Sequence, residues 1–170
     1  MSVSGRRLNF LAALASAAFM LATEASARDL DEQMADAIRA HNFDKVEYLI
    51  HRGGTVPTSQ SGLLLQLAAG GDRLALVRAL VSSGTDLESY GPGALVVAAD
   101  GGYVDIVEAL IEGGVDVDAR ADDGRTAAVA AAEKGHMPIL VRLYLGDADL
   151  EAASEDGRTP LAIAAGRGNG

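Results

Sequence analysis

Apolar residues recur along this chain at helical spacing. Between Asp105 and Ile111, the apolar side chains Ile106, Val107 and Leu110 fall with Ile111 on one stripe of an α-helix. The other positions of this stretch are Asp, Glu and Ala, which are typical of the opposite, less buried face. A helix with one apolar stripe must bury that stripe against a neighbour. The pattern therefore predicts amphipathic helices that pack together.

The same segment returns at nearly constant intervals. Residues 107–111 match residues 77–81 at an offset of 30, and these match residues 46–50 at an offset of 31. Asp-Gly-Arg-Thr occurs at 123–126 and again at 156–159. A glycine follows each of the three helical runs in the same register: Gly53, Gly84 and Gly114. Repeats at such a period indicate a chain built from stacked copies of one small unit.

These motifs resemble the ankyrin repeat. Its familiar pattern is a turn with Asp-Gly-x-Thr-Pro-Leu-His, an Ala-Ala pair, Gly-His or Gly-Asn, a Val-Val-x-Leu-Leu helix, and then Gly-Ala-Asp-Val-Asn. Residues 156–161 (Asp-Gly-Arg-Thr-Pro-Leu), 131–136 (Ala-Ala-Glu-Lys-Gly-His) and 114–119 (Gly-Val-Asp-Val-Asp-Ala) match it. The resemblance covers roughly residues 30–170. It implies an all-α ankyrin-repeat solenoid of helix-turn-helix units joined by β-hairpin-like turns.

Capping residues support the same interpretation. Thr126 and Thr159 are placed to cap first helices with their hydroxyls, and Pro160 falls at a first helical position, where proline is tolerated. The three glycines named above are expected to be left-handed after second helices, and Asp147 takes that place in the fourth repeat.

The chain departs from the family pattern in two ways. The His of Thr-Pro-Leu-His is replaced by Val129 and Ala162, so apolar contacts are expected in place of the hydrogen bonds attributed to that His. The fifth repeat stops at Gly170, before any second helix. Since a stack needs a polar cap over its last apolar face, we expect either a frayed end or a fragment of a longer protein.

We divide the chain into a signal peptide, residues 1–27, and one ankyrin-repeat domain, residues 28–170, with four repeats and a partial fifth. The repeats are predicted at residues 29–56, with helices at 32–40 and 43–51, then at 60–88, 93–119 and 122–152, and from residue 155 onward. The turn at residues 89–93 is shorter than the period of the family requires. We expect a stunted hairpin tip there.

Residues 1–27 have the features of a targeting segment. Arg6 and Arg7 precede an apolar run from Phe10 to Ala22, and Ala-Ser-Ala at 25–27 is a small-residue cleavage signature. The run is shorter than the about 20 residues that span a membrane, so stable membrane insertion after cleavage is not expected. An amphipathic or buried N-terminal helix is the alternative. We favour the general secretory route over twin-arginine export, and a periplasmic or secreted bacterial protein.

The charge of the chain bears on its partners. The full chain carries 14 basic and 24 acidic side chains, and removal of residues 1–27 leaves 12 and 23, a formal charge of −11. This balance argues against a nucleic-acid partner and favours a protein partner with a basic patch. The chain holds no Cys, which removes disulfides, thiolate catalysis and Cys-based metal sites. We expect a monomer.

Motifs for catalysis, cofactors or metals are weak throughout. The three histidines show no ligand spacing, and the acidic run that begins at Asp147 lacks the Gly and Glu of a calcium loop. Gly166 to Gly170 is rich in glycine but does not follow a strand, as a phosphate loop would. Nucleophile motifs such as Gly-x-Ser-x-Gly are absent from the sequence. We therefore predict no catalytic, cofactor or metal site, and a chain that is not an enzyme.

The resemblance implies a protein–protein interaction module that binds through hairpin tips and the concave first-helix face. Carried onto this sequence, the candidate contact residues are Glu88, Tyr90, Arg120, Asp122, Arg125, Ala153, Ser154 and Arg158. Exposed Tyr and Arg are frequent interface anchors. Two alternatives remain: an immunity-type or effector protein that acts on a toxin or host protein through the same surface, and, more remotely, a small enzyme.

Overall fold

A computed structural model of the chain describes residues 29–152, 154 and 157–168. In this part of the chain every regular element is a helix, which confirms the predicted all-α class. The helices are α1 (described over residues 29–39), α2 (Phe43–His51), α3 (Thr58–Gly70), α4 (Leu74–Ser82), α5 (Leu87–Gly101), α6 (Val104–Glu112), α7 (Ala127–Lys134), α8 (Met137–Leu145) and α9 (Pro160–Gly166). The predicted signal peptide, residues 1–27, lies outside the described residues.

The chain divides into two compact units, which meet in sequence between Thr55 and Val56. In the first unit α1 and α2 form a helical hairpin, as predicted. Its buried apolar side chains are Met34, Ala37, Val46 and Leu49. The hydroxyl of Thr55 donates to the Asp31 carboxylate at 2.9 Å, which ties the end of this unit to α1.

The second unit is a two-layer array of helices. The first helices of successive repeats pack in the order α3, α5, α7 and α9, and the second helices in the order α4, α6 and α8. Small side chains fill the first layer, because Ala98, Ala99, Ala131 and Ala132 are all fully buried. Larger apolar residues fill the second layer, and Ile106, Leu110, Ile139 and Leu143 have no exposed surface. Close helix approach thus follows from the alanine-rich composition.

The predicted caps and turns are present. The Thr126 hydroxyl accepts a hydrogen bond from the Val129 amide at 3.3 Å, and the Thr159 hydroxyl accepts one from the Ala162 amide at 3.1 Å. After α6 the chain turns at Gly114, whose φ of 92° is left-handed. The left-handed conformation expected for the other two glycines and for Asp147 is also confirmed, with φ values of 85°, 85° and 68° for Gly53, Gly84 and Asp147.

The predicted hairpin tip at residues 89–93 is wrong, since these residues lie inside α5. Asp86 caps this helix by accepting from the Ser89 amide at 3.1 Å, so the helix begins at Leu87 and continues through Pro92. Gly91 and Pro92 are buried; a Cβ on Gly91 would lie 2.7 Å from the Val115 side chain. The Gly-Pro-Gly sequence indicated a turn, but packing against Val115 holds it in helical conformation. The predicted repeat boundaries near residues 88 and 93 are therefore misplaced.

Candidate functional site

The exposed face of α3 and α5 carries apolar side chains. Leu63 and Leu67 lie one helical turn apart on α3, and both residues are exposed, Leu63 to 64%. Val97 on α5 is also exposed, and it packs across Gly70, where an added Cβ would come within 2.7 Å of the Val97 methyl group. Because Leu63, Leu67 and Gly70 fall on one face of α3, Val97 over Gly70 extends the apolar face of the two leucines onto α5.

A network of ion pairs continues this surface toward the later repeats. Asp100, one turn beyond Val97 on α5, lies 3.3 Å from the guanidinium of Arg125. That guanidinium also lies 3.5 Å from Glu133 on α7, and Glu133 lies 3.7 Å from Arg158. We call the whole surface the first-helix strip: Leu63, Leu67, Val97, Asp100, Arg125, Glu133 and Arg158. Its first part is apolar and its second part is charged.

Two tight turns of matching geometry support the charged part of the strip. The Ala121 amide donates to the Arg125 carbonyl at 3.0 Å, and the Ser154 amide donates to the Arg158 carbonyl at 2.9 Å. Each turn holds a left-handed glycine, Gly124 or Gly157. The β-hairpin-like turns predicted between repeats are confirmed at these two places. The described residues of both turns form no strands.

Arg125 is held in place by its own turn. Its Nε donates to the Asp123 carboxylate at 2.8 Å, and the Asp123 carboxylate also accepts from the Arg125 amide at 3.1 Å. The side-chain hydrogen bond from Arg125 lowers the pKa of Asp123, against the opposing effect of partial burial. The same bond raises the pKa of Arg125. Both groups are therefore charged at neutral pH, and the guanidinium is held in one orientation by its own turn.

The structure places the sequence-predicted contact residues in three different settings. Arg125 and Arg158 are part of the first-helix strip. Arg120 donates from its guanidinium to the Gly124 carbonyl at 2.8 Å, so it braces the first turn, in which Asp122 is exposed. Ser154 donates from its hydroxyl to the Arg158 carbonyl at 2.6 Å and braces the second turn.

Two other predicted contact residues, Glu88 and Tyr90, lie on α5 and away from any hairpin tip. Glu88 lies in the first turn of α5, so its predicted position at a hairpin tip is wrong. Its side chain is nevertheless on the surface. Tyr90 is half-buried and its ring covers Gly62 so closely that an added Cβ would overlap the ring. Tyr90 thus serves in part to pack α5 on α3. Ala153 lies outside the described residues.

Sequence reasoning missed most of the strip. Asp100 and Glu133 occupy the same position of successive repeats, and this register could have singled them out. Leu63 and Leu67 gave no signal, because an apolar pair at i, i+4 on a helix is usually part of the core. Only the observed exposure reveals them as surface residues.

One cross-repeat hydrogen bond involves the histidine of the Gly-His motif, and not the missing histidine of Thr-Pro-Leu-His. His136 Nε2 lies 3.2 Å from the carbonyl oxygen of Asp100, which links the start of α8 to the end of α5. Val129, at the position of the missing family His, is buried and lines a cleft of about 150 Å³ between the two tight turns. Apolar packing therefore does replace the histidine at Val129, and His136 supplies a polar link elsewhere. The expectation is wrong for Ala162, which is exposed.

Two properties of the described residues bear on other functions. Among residues 29–152, 154 and 157–168, no group of three or more His, Cys, Asp or Glu side chains is arranged to hold a metal ion. Within the same residues, none of the helices has both the length and the apolar character needed to cross a membrane.

Comparison with protein families identifies the repeats. The model of a family described as ankyrin repeats (3 copies) matches residues 33–121 and 95–170, which together span most of the chain. A search of curated proteins finds no match. Ankyrin repeats are generally protein–protein interaction modules, and proteins built from them are typically binding proteins and not enzymes. With its register of helices, caps and tight turns, this chain belongs to the ankyrin-repeat family.

Proposed function

We propose that this chain is an exported binding protein that holds a protein partner on its first-helix strip. The observation that carries the proposal is the exposed apolar surface of Leu63, Leu67 and Val97, joined to the Asp100–Arg125–Glu133 network. Exposed apolar side chains next to oriented charges are typical of interfaces, because the apolar group supplies affinity and the charges supply specificity.

The partner proposed is a protein with a basic patch. Exposed carboxylates cluster on the turns that follow α6 and α8: Asp116, Asp118, Asp122, Asp123, Asp149 and Glu151. Together with the overall formal charge of −10, they give a field that attracts a basic surface. One copy of the chain carries the complete strip, so a single copy is sufficient to bind the partner.

Action outside the cytoplasm rests on residues 1–27. We propose cleavage after Ala27, followed by function in a bacterial periplasm or in the medium. Mass spectrometry of the exported protein tests this, and a chain beginning at Arg28 is expected. An intact chain that starts at Met1 and is found only in the cytoplasm would refute both the cleavage and the compartment.

Affinity capture from periplasmic extract, with the chain beginning at Arg28 as bait, is the experiment that names the partner. Leu67→Glu is expected to weaken the captured complex at least tenfold, mainly through a faster dissociation rate, because it places a charge in the apolar part of the strip. The matched control is Tyr48→Glu, since Tyr48 is exposed on a helix of the first unit. Equal binding by both variants would exclude the strip as the contact surface.

The role of charge is tested separately. Reversal of Asp122 and Glu151 to Lys, two exposed carboxylates outside the Arg125 network, is expected to lower the association rate more than it raises the dissociation rate, because steering acts before contact. Rising salt should slow association by the wild-type chain, since exposed charges are screened over about 8 to 10 Å near physiological ionic strength. An acidic partner, or an association rate that ignores salt, would show that the acidic surface does not select the partner. A captured toxin or host protein would instead favour the immunity-type or effector role.

A further inference from the structure

The two tight turns before α7 and α9 border a small cleft between two neighbouring repeats. Its volume is about 150 Å³, roughly ten times the space that a single water molecule needs. We call it the turn cleft, and the side chains that give it its chemistry are Asp123, Arg125, Val129, Glu133, Ser154 and Arg158. Val129 is buried and supplies an apolar wall, whereas the other five are polar or charged. The cleft is therefore large enough for the polar end of one side chain.

The charged groups of the turn cleft form two pairs of different geometry. Asp123 and Arg125 are bound to each other by a hydrogen bond of 2.8 Å. Glu133 and Arg158 face each other at 3.7 Å, which is too long for a hydrogen bond, and their side chains are 33% and 58% exposed. One repeat earlier the equivalent pair, Asp100 and Arg125, is close enough to form a hydrogen bond, at 3.3 Å. Glu133 and Arg158 thus present an acceptor and a donor side by side, with a gap between them.

This gap has the dimensions of a planar carboxamide. The oxygen and nitrogen of a primary carboxamide are about 2.2 Å apart, as the amide bond lengths require. Two nearly parallel hydrogen bonds of about 2.9 Å can therefore join them to a donor and an acceptor that are 3.7 Å apart. The amide nitrogen would donate to the Glu133 carboxylate, and the amide oxygen would accept from the Arg158 guanidinium.

The balance of charge favours a neutral group over an ion. Among the described residues that line the turn cleft, two are acidic (Asp123 and Glu133) and two are basic (Arg125 and Arg158). A carboxylate would accept from Arg158 but would be repelled by Glu133, and a cation would be attracted by Glu133 and repelled by Arg158. A carboxamide uses both groups without either repulsion.

We infer that the turn cleft binds the side-chain carboxamide of an asparagine or glutamine of the partner that the first-helix strip holds. The inference rests on the proposed function for the source of this side chain, because Glu133 and Arg158 belong to the strip. The acidic turns and the cleft then have separate roles. Long-range charge brings a basic partner to the surface, and the paired hydrogen bonds of the cleft distinguish a carboxamide from groups that cannot form both.

Three planar probes of equal size and different charge test the chemistry of the cleft on the full chain: propionamide, propionate and propionamidinium. Each is titrated into isotope-labelled protein and followed by nuclear magnetic resonance. Propionamide should shift the amide signals of Gly124 and Ser154 with a dissociation constant on the order of 10 mM, as expected for so small a ligand. The Gly84 amide, in a turn outside the cleft, should not shift. Tighter binding of either ion, or no shift with any probe at ten times that concentration, overturns the inference.

A change of preference in a variant separates a binding role of Glu133 from a structural one. Glu133→Ala removes the acceptor and one negative charge, so propionamide should bind at least fivefold more weakly and propionate should become the preferred probe. The matched control is Glu108→Ala, which removes the carboxylate of an ion pair with Arg142 between α6 and α8. It should leave the affinities of all three probes unchanged. An unchanged order of preference in Glu133→Ala overturns the assignment of Glu133 as the acceptor.

The captured complex distinguishes this inference from the proposed function. Glu133→Ala should weaken the complex several-fold, and Leu67→Glu tests the strip independently. A complex that Leu67→Glu breaks and Glu133→Ala does not would leave the strip as the contact surface and overturn the inference. If propionamide binds as expected but Leu67→Glu leaves the complex intact, the strip is refuted, and the carboxamide chemistry of the cleft stands, because it is measured without a partner.

Discussion

The second unit contains two repeats of different length. The first half, from α4 to α5, and the second half, from α6 to α7, stack their helices in the same layers but differ in the local structure that connects them. Between α4 and α5 the connection has four residues and α5 has 15, whereas between α6 and α7 the connection has fourteen residues and α7 has eight. The earlier connection is thus ten residues shorter and its helix seven residues longer, which leaves the three-residue difference in repeat length. In the shorter repeat, residues of α5 take the place of the hairpin tip, and the stacking register of the helices is unchanged.

The replacement of a hairpin turn by helix changes which interactions stabilise each half. The added turns of α5 pack on their neighbours through side chains, with Tyr90 over Gly62 and Val115 against Gly91. The hairpin turn before α7 is held by local polar contacts, chiefly those of Arg125. The first half therefore depends on the fit of apolar groups, and the second on hydrogen bonds and charge. Four predictions test this difference.

The largest effect is expected at a core position that the two halves fill differently. Leu95 of α5 and Ala128 of α7 share a register and are both buried. Leu95→Ala should lower the free energy of unfolding by about 3 kcal/mol, because it leaves a cavity. Ala128→Leu should cost about 1 to 3 kcal/mol through overpacking. Urea denaturation measures both; a cost below about 1 kcal/mol for Leu95→Ala would contradict a tightly packed first half.

The second prediction concerns Pro92, which lies inside α5. A proline in a helix interior costs about 3 kcal/mol, because it has no amide hydrogen and crowds the preceding turn. Pro92→Ala should therefore raise the free energy of unfolding by about 1 to 2 kcal/mol, since lost packing and a freer unfolded chain offset part of the gain. Thermal denaturation gives the sign. A lower melting temperature would mean that residues 89–93 act as a turn, as the sequence indicated.

The repeat register and the caps could be predicted from the sequence because each depends on residues close together in the chain. The hydroxyls of Thr126 and Thr159 accept hydrogen bonds from amides one helical turn away, and the left-handed Gly114 turns the chain after α6. These local features needed no tertiary information. The helical conformation of Gly91 and Pro92 could not be predicted in this way, because it depends on contact with Val115, which lies in a later turn.

The candidate binding surface was less predictable for the same reason. Arg125 and Arg158 were found because they belong to a conspicuous motif, but the partners Asp100 and Glu133 lie on other elements of the repeat. The exposure of Leu63 depends on which side of α3 its neighbours cover. Local patterns thus predicted the turns, and only the packing of helices defined the strip.

The third prediction compares the helix caps of the two halves. Thr126→Ala should lower the free energy of unfolding by about 1 kcal/mol, since it removes the cap of α7. Asp86→Ala should also lower the melting temperature, but this cap is charged. The side-chain hydrogen bond from Ser89 lowers the pKa of Asp86, so its contribution is present above the unfolded pKa and is lost as pH falls through the folded value. Hence the Asp86→Ala difference should vanish in acid, and the Thr126→Ala difference should persist.

The smallest effect on stability is expected at the turn before α7. Arg125→Gln removes the guanidinium that binds Asp123 and Asp100, and because this site is partly exposed the free energy of unfolding should change by less than about 1 kcal/mol. Local opening of the turn should change more than the free energy of global unfolding. The amides of Ala121 and Gly124, which close the turn, should exchange with solvent several-fold faster in the variant.

The amide of Tyr90 is the control for this last prediction, because it donates to the Asp86 carbonyl in the helical half, away from the Arg125 network. Its exchange should be the same in both proteins. The wild-type turn should also loosen when Asp123 is protonated. Because Arg125 lowers the pKa of Asp123, that loosening appears only as pH falls through the folded value, below the usual range of an aspartate. Faster exchange of the Tyr90 amide in Arg125→Gln would mean that local opening of the two halves is coupled.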